Sequence, residues 1–166
     1  MVEFDQHLPS LLDRLTDDEP GKQQESRQRR AISIRQYRDE VIRDLDWLLN
    51  SGNLGATEDL ENYPLVAESV LNYGMPDLTG LTASSIDTHE IERVLKRAIV
   101  SFEPRLLRHT VKVRALVSSD SSNVNSLAFE ITGELWAEPM PERLYLKTEV
   151  DLETGAFTVT DHVDEG

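Results

Sequence analysis

The residues best suited to catalysis in this sequence are carboxylates, and Glu103, Glu130 and Glu134 are the strongest candidates for acid–base chemistry. A glycosidase needs two carboxyl groups across a cleft, in environments that separate their pKa values. Glu130 and Glu134 alternate with the apolar residues of a predicted strand, so we expect them to face solvent. Because the chain has 31 Asp and Glu residues, neighbouring carboxylates also arise by chance. The pattern therefore favours surface acids over a catalytic pair.

Other catalytic and metal-binding patterns are missing from the sequence. The chain has no cysteine, and its 4 histidines stand far apart, so a zinc site is not expected. It contains neither a glycine-rich phosphate loop nor the frame of a nucleophile elbow. We therefore predict no catalytic residue, no metal and no cofactor.

The charge of the chain is strongly acidic, with a formal net charge of −14. Such a chain repels a phosphate backbone unless its basic residues cluster. Basic residues do cluster in 22–43 and 93–114, but no nucleic-acid-binding signature accompanies them, so we interpret them as solvated faces. No apolar run approaches the ~20 residues that cross a bilayer, and residues 1–5 do not resemble a signal peptide. These absences favour a cytoplasmic location.

The sequence predicts an α+β fold in which N-terminal helices precede an antiparallel β-meander of three to four strands. A chain of 166 residues is most simply one domain, which we place at residues 32–166, after an N-terminal arm and charged linker at residues 1–31. Ser33 and Gln36 have the spacing of a capping box at the start of the first long helix. A shorter helix is predicted over about residues 65–72.

A second long helix ends at the triplet Glu103-Pro104-Arg105. Its apolar residues, at positions 91, 94, 95, 98, 99 and 102, form one stripe suited to burial. Pro104 ends the helix because it cannot donate to the helical ladder. The Glu–Arg pair at this junction is either a local ion pair that fixes the corner or a docking point for a partner. We expect both side chains to project from the turn, so that alanine at either position lowers the free energy of unfolding by less than about 2 kcal/mol.

The N-terminal arm is predicted to contain a short helix with three leucines, Leu11, Leu12 and Leu15. An isolated helix of this length is marginal in water and cannot bury its own leucines. The arm therefore either folds back on its own domain or docks on another chain. We interpret the three leucines as partner-binding residues.

Blocks of sequence at residues 11–15, 43–50, 69–78 and 102–106 read LLDRL, RDLDWLLN, SVLNYGMPDL and FEPRL. In these blocks, and in their order, the chain resembles the TssE family of type VI secretion baseplate subunits. That family lies within the phage baseplate-wedge proteins long labelled lysozyme-like. The resemblance implies a structural part of a contractile injection machine, with the β-meander as the family's C-terminal half. The runner-up interpretation is a cell-wall glycosidase, a lysozyme-like muramidase.

The resemblance also implies partners and a location. The expected partners are the wedge subunits TssF and TssG and the TssB/TssC sheath, with TssK as a further candidate. They assemble at a cytoplasmic baseplate docked on the inner membrane. Sheath strands are expected to extend the sheet by main-chain pairing at an edge. The family's Glu-Pro-Arg triplet maps onto Glu103, Pro104 and Arg105, whose implied role is contact with the wedge core.

Overall fold

The computed structural model describes residues 9–16, 32–78, 87–116, 126–137 and 140–161. Its helices are α1 (Leu11–Leu15), α2 (Ile34–Leu49), α3 (Pro64–Ala67) and α4 (Thr88–Phe102). The strands that follow are β1 (Lys112–Leu116), β2 (Ser126–Leu135), β3 (Glu142–Asp151) and β4 (Phe157–Asp161). The predicted α+β order, with helices before strands, is confirmed.

The strands form a four-stranded antiparallel sheet in the order β1-β2-β3-β4, which is the predicted meander. Strands β1 and β4 are its edges. In register, Ile131 on β2 lies between Val113 on β1 and Leu146 on β3. These three side chains are buried, so one face of the sheet forms one side of the hydrophobic core.

Helices α2 and α4 cover that face of the sheet and also pack against each other. Helix α2 contacts β4 at one edge, and α4 contacts β1 at the other. The fully buried side chains come from both layers and include Leu45, Leu95, Ile99, Phe129 and Leu146. Burying each such side chain contributes about 1.5–3 kcal/mol, so this interface is the main source of stability.

The long helices begin where their sequences indicate. Ser33 accepts a hydrogen bond from the main-chain N–H of Gln36, whose side chain accepts from the N–H of Ser33, so the capping box is confirmed. The single short helix predicted over residues 65–72 is wrong. Helix α3 ends at Ala67, and a separate 3₁₀ turn covers Val70–Asn72. The Ser69 side chain accepts from the N–H of Leu71 and starts that turn.

Candidate functional site

The corner after α4, residues 103–107, is joined to the end of β2 by main-chain hydrogen bonds. The carbonyl of Arg105 accepts from the N–H of Trp136 at 2.7 Å, and the N–H of Leu107 donates to the carbonyl of Glu134 at 2.9 Å. Within the corner, the N–H of Glu103 still donates to the carbonyl of Ile99, as in the helix. The backbone of the corner is therefore fixed from both sides.

Arg105 lies between two carboxylates at this corner. Its Nε and Nη2 donate to the two oxygens of Glu103 at 2.8 and 2.6 Å, which is a bidentate pair. Nη2 also donates to Asp44 Oδ2 on α2 at 2.6 Å. The third nitrogen, Nη1, is buried and donates to no acceptor among the described residues. The pair thus joins the end of α4 to α2, and it leaves one nitrogen of Arg105, Nη1, without an acceptor among the described residues.

The charge network continues from Asp44 to the arm. Arg43 donates from Nε and Nη2 to Asp44 Oδ1 at 3.0 and 2.8 Å. The same guanidinium donates from Nη1 and Nη2 to the two oxygens of Asp13 on α1, at 2.6 and 3.0 Å. The charges therefore alternate in sign from Asp13 through Arg43, Asp44 and Arg105 to Glu103. This chain of contacts connects the arm to the corner through α2.

Burial distinguishes the members of the triplet. Glu103 is only 3% exposed, whereas Pro104 lies on the surface. The Arg105 side chain is 19% exposed. The expectation that both charged side chains project from the turn is therefore wrong: the helix ends with Glu103 buried, and Arg105 folds back to bond both Glu103 and Asp44 on α2. Of the two alternatives for the pair, the local ion pair is present, while a partner-binding role for the triplet stays a prediction.

The electrostatics of the network favour its charged form. Burial opposes the charge on Arg105, but the hydrogen bonds and negative charges of Glu103 and Asp44 outweigh it and raise the pKa of Arg105. Hydrogen bonds from Arg43 lower the pKa of Asp13 to about 2, although partial burial acts in the opposite direction. Since this pKa is lowered on docking, the Asp13 contact stabilises the docked arm above a pH of about 4 and is lost as the pH falls toward 2.

Helix α1 contacts α2 through polar groups and exposes its leucines. The N–H of Ser10 donates to Glu40 on α2 at 3.2 Å, beside the Asp13–Arg43 pair. The three predicted partner-binding leucines are 70%, 50% and 75% exposed, for Leu11, Leu12 and Leu15 in turn. Trp47, 47% exposed, lies under the Arg43 guanidinium at 4.9 Å from its ring centroid. The described part of the arm therefore rests on α2 with its apolar side chains available to a partner.

Both edges of the sheet are partly closed by side chains. At β4, Asn50 Oδ1 accepts from the N–H of Phe157 at 2.9 Å, and Asn50 Nδ2 donates to the Phe157 carbonyl at 3.0 Å. At β1, Glu92 Oε1 accepts from the N–H of Ala115 at 2.7 Å. Because main-chain groups alternate in direction along a strand, the N–H of Val159 also points outward from β4. Each edge therefore keeps some main-chain groups that face away from the sheet.

The remaining acid–base candidates lie on β2. Glu130 and Glu134 face Lys147 and Arg143 of β3 in register, and both are half-buried. Glu130 Oε2 accepts a hydrogen bond from the hydroxyl of Tyr145 at 2.8 Å. In the part of the chain that the structure describes, no cluster of three or more His, Asp or Glu residues could hold a metal ion.

Asp44 is the residue of this site that the sequence analysis missed. Tyr37, Val41 and Leu48 lie on the inner face of α2, and position 44 falls on the same face at helical spacing. A carboxylate on an otherwise apolar stripe needs a buried partner. That break in the pattern is the signal that could have identified it.

The sequence of the corner and of the two long helices matches a known family. The family described as baseplate wedge protein gp25 matches residues 35–140, from α2 past the end of β2. The chain belongs to this family. No curated protein and no solved structure gives a match.

Membership of the gp25 family supports a structural role in a baseplate. The matched range contains the corner with Arg105, and also Asp44 on α2. It leaves out the described part of the arm, residues 9–16. No helix among the described residues is both long and apolar enough to cross a membrane.

Proposed function

We propose that this gp25-family protein joins the baseplate wedge of a type VI secretion machine to the first ring of its contractile sheath. The match of residues 35–140 to the baseplate wedge family carries the proposal. The sequence blocks at residues 11–15 and 69–78, which resemble TssE, support the assignment to a secretion system. The protein then works on the cytoplasmic side of the inner membrane, at a docked baseplate.

The wedge-facing surface in this proposal consists of the corner and the arm. Pro104 is exposed at the turn, and Arg105 Nη1 is a donor that a partner's carbonyl or carboxylate can use after a small movement. Leu11, Leu12 and Leu15 add an apolar surface that the chain's own α2 does not cover. The partners are TssF and TssG, with TssK as a further candidate. The TssB/TssC sheath adds strands to an edge of the sheet.

Co-purification from cells that also express TssF and TssG tests this proposal. The full chain is expected to bring down both subunits and, when the purified assembly is mixed with TssB and TssC, to seed sheath polymerisation. Failure of the full chain to recover either wedge subunit would remove the proposal.

The same experiment tests the arm. Among the described residues 9–16, deleting residues 1–20 removes the Ser10–Glu40 hydrogen bond and one partly exposed ion pair, Asp13–Arg43, which is worth about 0–1 kcal/mol. We therefore expect the melting temperature to change by no more than a few degrees, while recovery of the wedge subunits falls. A large loss of stability would show that the arm belongs to the core of its own domain.

A proline scan tests attachment of the sheath at a sheet edge. Val159→Pro on β4 removes an outward-facing N–H, and Ala115→Pro on β1 removes the N–H that donates to Glu92; both leave the bonds between neighbouring strands intact. At least one of the two variants is expected to remain folded by circular dichroism and to lose most of its seeding activity. Ala115→Ser and Val159→Thr keep the N–H and serve as matched controls. Normal seeding by both folded proline variants would contradict strand addition.

A further inference from the structure

The connection between α2 and α4 carries a second set of exposed apolar side chains, separate from those of the arm. We call residues 51–78 the acidic lobe. They contain five acids and no Lys, Arg or His. Large apolar side chains on this lobe face solvent: Tyr63 is 61% exposed, Leu65 84%, Val70 80% and Leu71 67%. Exposed apolar side chains that lie together on a monomer are typical of interaction sites.

The acidic lobe is held in a fixed shape, so these side chains are presented by an ordered surface. The N–H of Met75 donates to the Ser51 carbonyl at 2.7 Å, and the N–H of Asn53 donates to the Met75 carbonyl at 2.9 Å. Asn72 connects its two halves, because its Oδ1 accepts from the N–H of Gly55 and its Nδ2 donates to the Ala67 carbonyl. An ordered surface loses little conformational entropy when it binds.

A groove of about 620 Å³ borders one of these exposed side chains, Leu71. Leu54, Leu71 and Met75 of the lobe line one part of it, and Thr154 and Gly155 of the β3–β4 turn line another. Its size suits a few side chains of a partner. Asn53 also lines it, and the buried Oδ1 of Asn53 accepts no hydrogen bond from a described residue.

The charges around this surface specify the partner. Glu58, Glu61 and Glu68 are exposed and form no ion pair within the described residues. Their charge repels a nucleic acid, an anionic membrane and the same lobe of a second copy. A cationic segment is attracted instead, and its Lys or Arg side chains can pair with these three carboxylates, which form an acidic rim, or donate to Asn53.

We propose that the acidic lobe is a docking surface for a cationic amphipathic segment of another protein. Apolar side chains of that segment cover Leu65 and Leu71 and enter the groove, while its Lys and Arg residues face the acidic rim. This surface is distinct from the corner and the arm. It does not depend on the assignment to a secretion system.

Nuclear magnetic resonance of the ¹⁵N-labelled full chain tests the proposal with synthetic helical peptides as probes. A Leu/Lys peptide is expected to shift the amide signals of residues 51–78 and 154–155. A Leu/Glu peptide with the same apolar face should leave them unchanged, because its charge is repelled. Raising the salt concentration from 50 to 500 mM should weaken the Leu/Lys complex several-fold.

Leu65→Ser combined with Leu71→Ser is expected to weaken the Leu/Lys peptide at least tenfold. Met140→Ser, at another exposed apolar residue, is the matched control and should leave the affinity unchanged. Shifts that fall outside the lobe and the β3–β4 turn, or equal binding of the Leu/Glu peptide, would overturn the proposal. So would self-association of the chain in sedimentation that the double variant abolishes, because the surface would then belong to a contact between copies.

Discussion

Replacing Arg105 with alanine is expected to lower the free energy of unfolding by about 3–5 kcal/mol, because it leaves a buried carboxylate without its cation. Glu103 is 3% exposed and would keep only the main-chain N–H of residue 105 as a described donor at its side chain. For a domain of this size, the loss corresponds to a fall in melting temperature of roughly 6–20 °C. Urea unfolding of the full chain measures it directly.

The chain offers a matched control for this prediction. Arg93 on α4 pairs with Glu90 three residues earlier, and both side chains are more than half exposed. Arg93→Ala should therefore change the stability by no more than about 0.5 kcal/mol. The comparison keeps the residue types but lacks the burial of the Glu103–Arg105 pair and the second carboxylate, Asp44, that Arg105 contacts.

Removing both charges tests the cause of the loss. If the unpaired carboxylate is responsible, the double variant Glu103→Ala, Arg105→Ala should be no less stable than Arg105→Ala alone. Additive losses would point to packing rather than charge. A loss below about 1 kcal/mol for Arg105→Ala would show that the pair does not fix the corner.

These values differ from the expectation based on the sequence, and the difference has a physical cause. Glu103 and Arg105 stand two residues apart, and that spacing does not say whether the pair faces solvent or another helix. The contact with Asp44 on α2 holds the pair against the other helix, and Asp44 lies 61 positions from Arg105 in the chain. A contact between such distant residues depends on the packing of α2 against α4, which periodicity does not specify.

The elements that the sequence predicted well are those with long, regular patterns. Helix α4 has six apolar positions on one stripe, and four of its residues, Ile91, Leu95, Ala98 and Ile99, are buried. Alternation along β2 and β3 likewise predicted the meander, because short connections leave antiparallel pairing as the simplest arrangement. Residues 64–72 have no such repeat, and there the local hydrogen bond of Ser69 prevailed over helix formation.

The corner and the arm together explain how a stabilising network can also serve assembly. Arg43 contacts both Asp13 of the arm and Asp44, and Asp44 contacts Arg105. A partner that takes up the exposed leucines of α1 therefore acts on a helix already connected to the corner. Because Arg105→Ala weakens the fold itself, its effect on wedge recovery has to be measured well below its own melting temperature.

Gly74→Ala is expected to lower the free energy of unfolding by about 2 kcal/mol or more and to release the acidic lobe. Gly74 has φ +119°, a conformation that L side chains rarely adopt. An added Cβ would lie 2.4 Å from the Ser51 carbonyl oxygen, which is itself bonded to the N–H of Met75. The Ser51 carbonyl belongs to the backbone and cannot rotate away as a side chain could. Relief of the overlap with the added Cβ therefore requires the hydrogen bond between Ser51 and Met75 to break.

Gly52→Ala is the matched control, because a Cβ at Gly52 meets nothing within 4 Å and the change should stay within about 0.5 kcal/mol. Hydrogen exchange separates a local effect from a global one. In Gly74→Ala, the amides of Asn53 and Met75 should exchange faster than those of β2 and β3, whereas Gly52→Ala should leave all of them protected. Equal stability of the two variants would mean that the lobe tolerates a shift of its backbone at Ser51. The groove beside Leu71 would then lack the fixed shape on which docking of a cationic segment depends.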